Sequence, residues 1–147
     1  MFNMSNLNVK LNAVWKGGVE GNGTIKSQYI DTPIAIGTEY GGNGQGASPK
    51  EILVSSVQAC YVATLVSMVE SRKLPVVSIE VDSEMVASDS SFDIIHYPRV
   101  VLSADATEKE VQSMQRVNEA ADRACIVGNM VKKAGVEIEV KGKVSTL

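Results

Sequence analysis

Ser48-Pro49-Lys50-Glu51-Ile52-Leu53-Val54-Ser55-Ser56-Val57-Gln58-Ala59-Cys60 is the stretch on which the fold turns. Ser48 suits a helix N-cap, because its hydroxyl can accept a backbone N–H of the first turn. Pro49 suits the first helical position, where an N–H would go unbonded anyway. Glu51 falls at N3 and completes a capping box. The helix is expected to run to about Arg72 and stop before Pro75. It would hold ~24 residues and span ~36 Å. Ile52, Leu53, Val57, Cys60, Val62, Ala63, Leu65, Val66 and Val69 make most of its circumference apolar. Such a helix is expected to be buried on several sides, by a wrapping sheet or by a partner subunit.

Upstream, Val9, Leu11, Ala13 and Trp15 alternate with Lys10, Asn12 and Lys16, the pattern of a half-buried strand over Val9–Lys16. Gly17-Gly18-Val19-Glu20-Gly21-Asn22-Gly23 reads as a turn. Thr24–Ile30 and Pro33–Thr38 read as two further strands of an antiparallel meander. Gly41-Gly42-Asn43-Gly44-Gln45-Gly46 lacks the Gly-Lys-Ser/Thr ending of a P-loop and the spacing of a dinucleotide fingerprint, and reads as a flexible loop.

Downstream, Val77, Ile79, Val81 and Ser83 alternate with Ser78, Glu80, Asp82 and Glu84 in a strand over Val76–Ala87. Ser88–Phe92 is a polar turn, and Asp93–Ala104 returns as a strand expected to break near Pro98. Thr107 and Glu110 form a second capping box, opening a helix to about Arg123 with Val111, Met114, Val117 and Ala121 inward. A short helix over Ile126–Lys133 and a strand over Val136–Val140 follow. The order βββ–α–ββ–α–(α)–β does not alternate strands with helices, so the class is α+β, in one domain over residues 1–147.

Composition narrows the function. A 44% hydrophobic chain of 147 residues can supply a core of its own. A net charge of −3 without basic blocks argues against nucleic acid. No stretch has eighteen uninterrupted apolar residues, so no membrane span is expected. Met1–Lys10 lacks a charged start followed by an apolar run, which argues against a signal peptide and makes the cytoplasm the expected compartment. One histidine and two distant cysteines are too few soft ligands for a structural metal, and no cofactor is implied.

Chemistry therefore rests on Cys60 and Cys125, which the cytoplasm would keep as thiols. Cys60 lies ~17 Å from the start of its helix. That is beyond the turn over which a helix N-terminus stabilises a thiolate. Its neighbours Ser56, Val57, Ala63 and Thr64 carry no charge. Two readings stand: a buried inert thiol, or a thiol activated by a group from elsewhere in the fold. Cys125 follows Arg123 at a helix C-terminus, whose partial negative charge opposes a thiolate. It is the poorer attacker and the better resolving thiol.

Ser48-Pro49-Lys50-Glu51-Ile52-Leu53 with Gln58-Ala59-Cys60, followed far downstream by Cys125-Ile126-Val127-Gly128-Asn129, resembles the OsmC/Ohr family, the osmotically inducible protein C and organic hydroperoxide resistance proteins. The resemblance extends to Trp15-Lys16-Gly17, the glycine-rich loop and the strand order. Its Gly-Gly-Asn-Gly-Gln-Gly-Ala-Ser-Pro segment is closest to an OsmC-like branch. It implies an OsmC-like α+β fold in an intertwined homodimer, which would cover the apolar helix. It also implies a thiol peroxidase of oxidative-stress defence. Cys60 would attack a hydroperoxide, an organic one by preference, and become a sulfenic acid. Cys125 would then form a disulfide with it, for an external lipoyl-type or thioredoxin-type dithiol to reduce.

Family peroxidases pair an arginine in the first turn region with a glutamate just after the helix-start proline. Here Glu20 stands near the arginine position, Lys50 follows Pro49, and Glu51 comes next. The pair is reversed in sign, so Glu20 and Lys50 are expected to bridge. Lys50 would then stand in as thiolate stabiliser, against the alternative of a solvated surface lysine. Glu51 is explained by the capping box. Lys50 lies ~15 Å along the helix from Cys60, so contact would have to cross a dimer interface. His96, a lone strand histidine, reads as structural or exposed; Tyr40 and Tyr61 are candidates for a pocket border. The competing function is a non-enzymatic OsmC-like dimer that binds a small apolar ligand or acts as a slow redox sensor.

Overall fold

The computed structural model describes residues 8–88 and 90–147. Most of Met1–Lys10, the stretch read against a leader, lies outside the described residues, as does Asp89 in the turn expected over Ser88–Phe92. The chain gathers into two compact units, one ending at Leu53 and one running from Val54 to Leu147.

In the first unit, β1 (Asn12–Lys16), β2 (Asn22–Lys26) and β3 (Asp31–Ile34) form the expected antiparallel meander in the order β1-β2-β3. The strands are shorter than their apolar patterns. Ser27 is the reason for β2: its N–H bonds to the Ile30 carbonyl at 2.8 Å and its hydroxyl accepts the Ile30 N–H at 3.1 Å, turning the chain four residues early. β1 is exposed along its whole length, not half-buried as its alternation suggests. The glycine-rich loop is not a free loop. The Asn43 side-chain amide donates to the Glu20 carbonyl at 2.9 Å and to Asn22 Oδ1 at 2.8 Å, latching the loop to the β1–β2 turn. At Gly42 a Cβ would stand 2.0 Å from the Ile36 carbonyl oxygen, so only glycine fits.

α1 (Pro49–Ser71) starts where its cap predicts, with the Ser48 hydroxyl accepting the Glu51 N–H at 3.2 Å. It ends through Lys73 in the left-handed region (φ 53°), with the Leu74 N–H on the Val69 carbonyl at 3.1 Å. Burial on several sides is not what the chain provides. Val57, Tyr61, Thr64, Leu65 and Val69 form one buried stripe, while Val66 is 44% exposed. By length and mean hydropathy (1.8) α1 would meet the requirement of a bilayer crossing. Two of its polar side chains, however, are bonded to the β4 and α2 backbone: Gln58 donates to the Val81 carbonyl and the Tyr61 hydroxyl to the Asn118 carbonyl.

The second unit contains β4 (Val76–Ala87), β5 (Phe92–Leu102), α2 (Glu108–Ala124), α3 (Ile126–Lys133), β6 (Glu137–Val140) and β7 (Lys143–Thr146). β4 pairs antiparallel with β5, while β6 and β7 both pair parallel with β5. A register shift between Val76 and Ser78 turns Val77 outward and leaves it 53% exposed, against the expected alternation. The break expected at Pro98 falls on the neighbouring strand instead. β5 is continuous, but β6 pairs with Asp93–His96 and β7 with Arg99–Leu102, so the ladder changes strand beside Pro98, which has no N–H to give. β7 is the strand that sequence patterning missed. α2 carries its full capping box between Thr107 and Glu110. One face of the sheet packs on α1 and α2 through Tyr61, Leu65, Val100, Leu102, Met114, Val117 and Ala121, and Cys125 belongs to the same core.

Candidate functional site

Both cysteines are free thiols, and the fold brings them together. Cys60, half-buried midway along α1, packs on the core that contains Cys125 and lies near enough to the Cys125 thiol to raise its pKa. Cys125 is 1% exposed. It is at once the C-cap of α2 and the N-cap of α3, a single extended residue (φ −70°, ψ 113°) between two helices. Its sulfur accepts the Gly128 N–H at 3.4 Å and points back to the Val57 carbonyl of α1 at 3.9 Å. Burial pushes the Cys125 thiol from the ordinary 9.0 up to about 12; the Gly128 N–H pulls against this rise and Cys60 and Asp122 add to it. The helix expected over Ile126–Lys133 begins on this sulfur, so Cys125 meets the N-terminus of α3 as well as the C-terminus of α2. Even so, desolvation prevails and the buried thiol stays protonated at neutral pH. Cys60 is the more accessible of the two thiols.

Polar groups surround this pair. Asp122, in the last turn of α2, pairs through Oδ2 with Lys132 Nζ at 2.9 Å, and its Oδ1 is buried without a hydrogen-bond partner. His96 is fully buried, as the structural alternative for it requires, and stacks on Tyr61 with ring centroids 4.5 Å apart. Gln58 donates to the Ser83 hydroxyl at 3.1 Å, and that hydroxyl shares a hydrogen bond with His96 Nδ1 at 2.6 Å. Burial lowers the His96 pKa from 6.5, so the ring is held neutral. Tyr61 is buried, its hydroxyl donates to the Asn118 carbonyl at 2.7 Å, and burial, then Asp122, raise its pKa. Sequence reading singled out neither Asn118 nor Asp122. The signal was present, since both continue the inward stripe of Met114 at helical spacing and so place polar groups on a core-facing surface.

Glu20, Lys50 and Glu51 belong to the first unit and are exposed. Among the ion pairs of the described residues none joins Glu20 to Lys50; the partner of Glu20 is Asn43, through the backbone carbonyl. Glu51 gives its N–H to the Ser48 cap, as its structural explanation requires. Lys50 and Tyr40 instead line an apolar pocket of about 640 Å³ in the first unit, together with Trp15, Ile25, Ile36 and Ile52. No group of histidine, cysteine and acidic residues suited to a metal ion occurs among the described residues.

Comparison with known proteins shows the family. Residues 42–141 match the OsmC-like protein family. The chain belongs to the OsmC family. It is 30% identical over 139 residues to the uncharacterized protein YmaD of Bacillus subtilis (strain 168), covering 91% of this chain and 92% of that protein. The fold is shared with an OsmC-like protein from Mycoplasma pneumoniae (TM-score 0.73, 14% identity, 95% and 99% of the two chains). It is shared as well with an OsmC-like protein of unknown function from Vibrio cholerae (TM-score 0.75, 13% identity, 93% and 99%). The organic hydroperoxide resistance protein OhrB of Bacillus subtilis has the same fold at TM-score 0.60 and 19% identity, over 93% and 98%. Proteins named for organic hydroperoxide resistance thus share this fold.

Proposed function

We propose that this OsmC-family protein is a cytoplasmic, homodimeric thiol peroxidase acting on organic hydroperoxides. The observation that carries this is the adjacency of Cys60 and Cys125 in one core, with the accessible thiol on α1 and the buried one at the α2–α3 corner. The Cys60 thiolate attacks the distal oxygen of the hydroperoxide and breaks the O–O bond. The alkoxide leaves as an alcohol on taking up a proton, and Cys60 becomes a sulfenic acid. The Cys125 sulfur then attacks the Cys60 sulfur, the S–OH bond breaks, and hydroxide leaves with the Cys125 proton as water. A lipoyl-type or thioredoxin-type dithiol reduces the disulfide. Lys50 is assigned to the thiolate of the other subunit, since its own Cys60 is ~15 Å away along α1.

Trapping of sulfenic acid at Cys60 after a stoichiometric dose of organic hydroperoxide, followed by mass mapping of a Cys60–Cys125 disulfide, tests the reading. Free thiols persisting under excess hydroperoxide would refute it. The second reading, a non-enzymatic dimer that binds a small apolar ligand, draws on the pocket beside Trp15, Tyr40 and Lys50. Saturable binding of an apolar ligand by a protein whose thiols resist oxidation would favour that reading.

A further inference from the structure

Cys125 has no rigid element of its own. It is the one non-helical residue between α2 and α3, so its sulfur is placed only as firmly as the two helices are held together. Asp122 and Lys132 make that joint. The Asp122 carbonyl accepts the Cys125 N–H at 3.2 Å, closing the end of α2. Lys132, from the last turn of α3, folds back across the corner, with Nζ 2.9 Å from Asp122 Oδ2 and 3.5 Å from the Asp122 carbonyl. Asn129 adds a third tie by donating to the Arg123 carbonyl at 2.9 Å.

The pair is shielded, with side chains 12% and 30% exposed. A sheltered pair of this kind is far costlier to break than a surface pair such as Arg99 with Asp82. The second Asp122 oxygen, Oδ1, is buried without a hydrogen-bond partner. A contact kept for stability alone could be replaced, both partners together, by apolar side chains at little or no cost.

We propose that the Asp122–Lys132 ion pair is a positioning element for disulfide formation, a clamp that fixes the α2–α3 corner and so holds the Cys125 sulfur against Cys60. The clamp rests on the peroxidase reading for its place in the cycle, and it acts on one step only. In that step the Cys125 sulfur bonds to the sulfur of the Cys60 sulfenic acid and water leaves.

The test uses the full-length protein and two readouts. The first is the equilibrium of the Cys60–Cys125 disulfide against mixtures of reduced and oxidised dithiothreitol, which needs no peroxidase activity. The second is rapid-quench measurement of sulfenic acid and disulfide after mixing with an organic hydroperoxide. Asp122→Asn and Lys132→Gln should each lower the effective concentration of the two thiols tenfold or more. Each should slow disulfide formation by a similar factor while sulfenic acid forms within twofold of the normal rate. Lys132→Arg, which keeps the pair, should stay near wild type.

Position and charge are separable, because removing Asp122 and removing Lys132 change the local charge in opposite senses. Opposite effects of the two variants on disulfide formation, or changes under twofold, would overturn the clamp. If Asp122→Asn does not fold, the half-buried Lys132→Gln and Lys132→Arg decide alone. Should wild type form the disulfide with oxidised dithiothreitol yet consume no hydroperoxide, the peroxidase reading falls while the equilibrium still judges the clamp. A wild type that forms no disulfide under either condition overturns both.

Discussion

The Gly128 N–H points at the Cys125 sulfur across 3.4 Å, so one buried thiol both ends the core of α2 and caps the first turn of α3. A side chain at Gly128 would intrude on this arrangement. A Cβ there would lie 3.2 Å from the sulfur and 3.3 Å from Ile138 Cδ1. Helix propensity alone predicts that Gly128→Ala gains about 1 kcal/mol. Overpacking costs about 1–3 kcal/mol. The expected net result is a loss of up to about 2 kcal/mol in urea unfolding, from the difference of these two effects. A more stable variant would show that the corner yields freely.

The two cysteines should fail differently. Cys60→Ser should abolish consumption of organic hydroperoxide. Cys125→Ser should keep the first turnover and accumulate Cys60 sulfenic acid, then sulfinic acid with excess oxidant, as read by intact mass. Equal loss at the first turnover in both variants would assign the two thiols a shared role in place of attack and resolution.

Lys50 is open to a direct test because α1 itself keeps it away from Cys60 of the same chain. If it serves the neighbouring subunit, Lys50→Ala should slow the reaction of Cys60 with hydroperoxide at least tenfold and leave the unfolding midpoint nearly unchanged. An unaltered rate would return Lys50 to the solvated surface.

His96 gives the protein an acid-sensitive core. Its pKa is lowered by burial below the ordinary 6.5, so the unfolded chain takes up the proton first as pH falls. Stability from this group is complete above pH 6.5 and is lost as pH drops through the lowered folded value. Urea midpoints between pH 8 and pH 5 should fall, and His96→Phe should flatten that slope. At the other extreme, Cys125 favours its neutral form up to about 12, so stability from this thiol is complete below the ordinary 9.0 and erodes as pH rises from there toward 12.

Local chemistry made the helix start readable: Ser48, Pro49 and Glu51 specify a cap whatever the rest of the chain does. The same holds for Thr107 and Glu110. Pro98 was expected to break its own strand and does not; a missing N–H does not say which neighbour must change, and here the changeover separates β6 from β7. β7, four residues just after Gly142, is too short to carry a period of its own. The flexible reading of the glycine-rich loop failed on one residue, Asn43, whose bonds reach back more than twenty positions. Within the site, sequence could rank the two thiols but not place them. Their meeting depends on α1 packing beside the α2–α3 corner. Asp122 and Lys132 stand ten residues apart, and nothing local pairs them until that corner folds.

α1 leaves much of its apolar circumference uncovered by its own chain, with Val66 the largest exposed apolar side chain on it. That ties the fold to how much of the protein is present. If a second copy supplies the missing cover, dilution itself becomes a denaturant, and the thermal midpoint should climb with protein concentration. A cell that makes more of such a protein would then raise the durability of each molecule as well as their number.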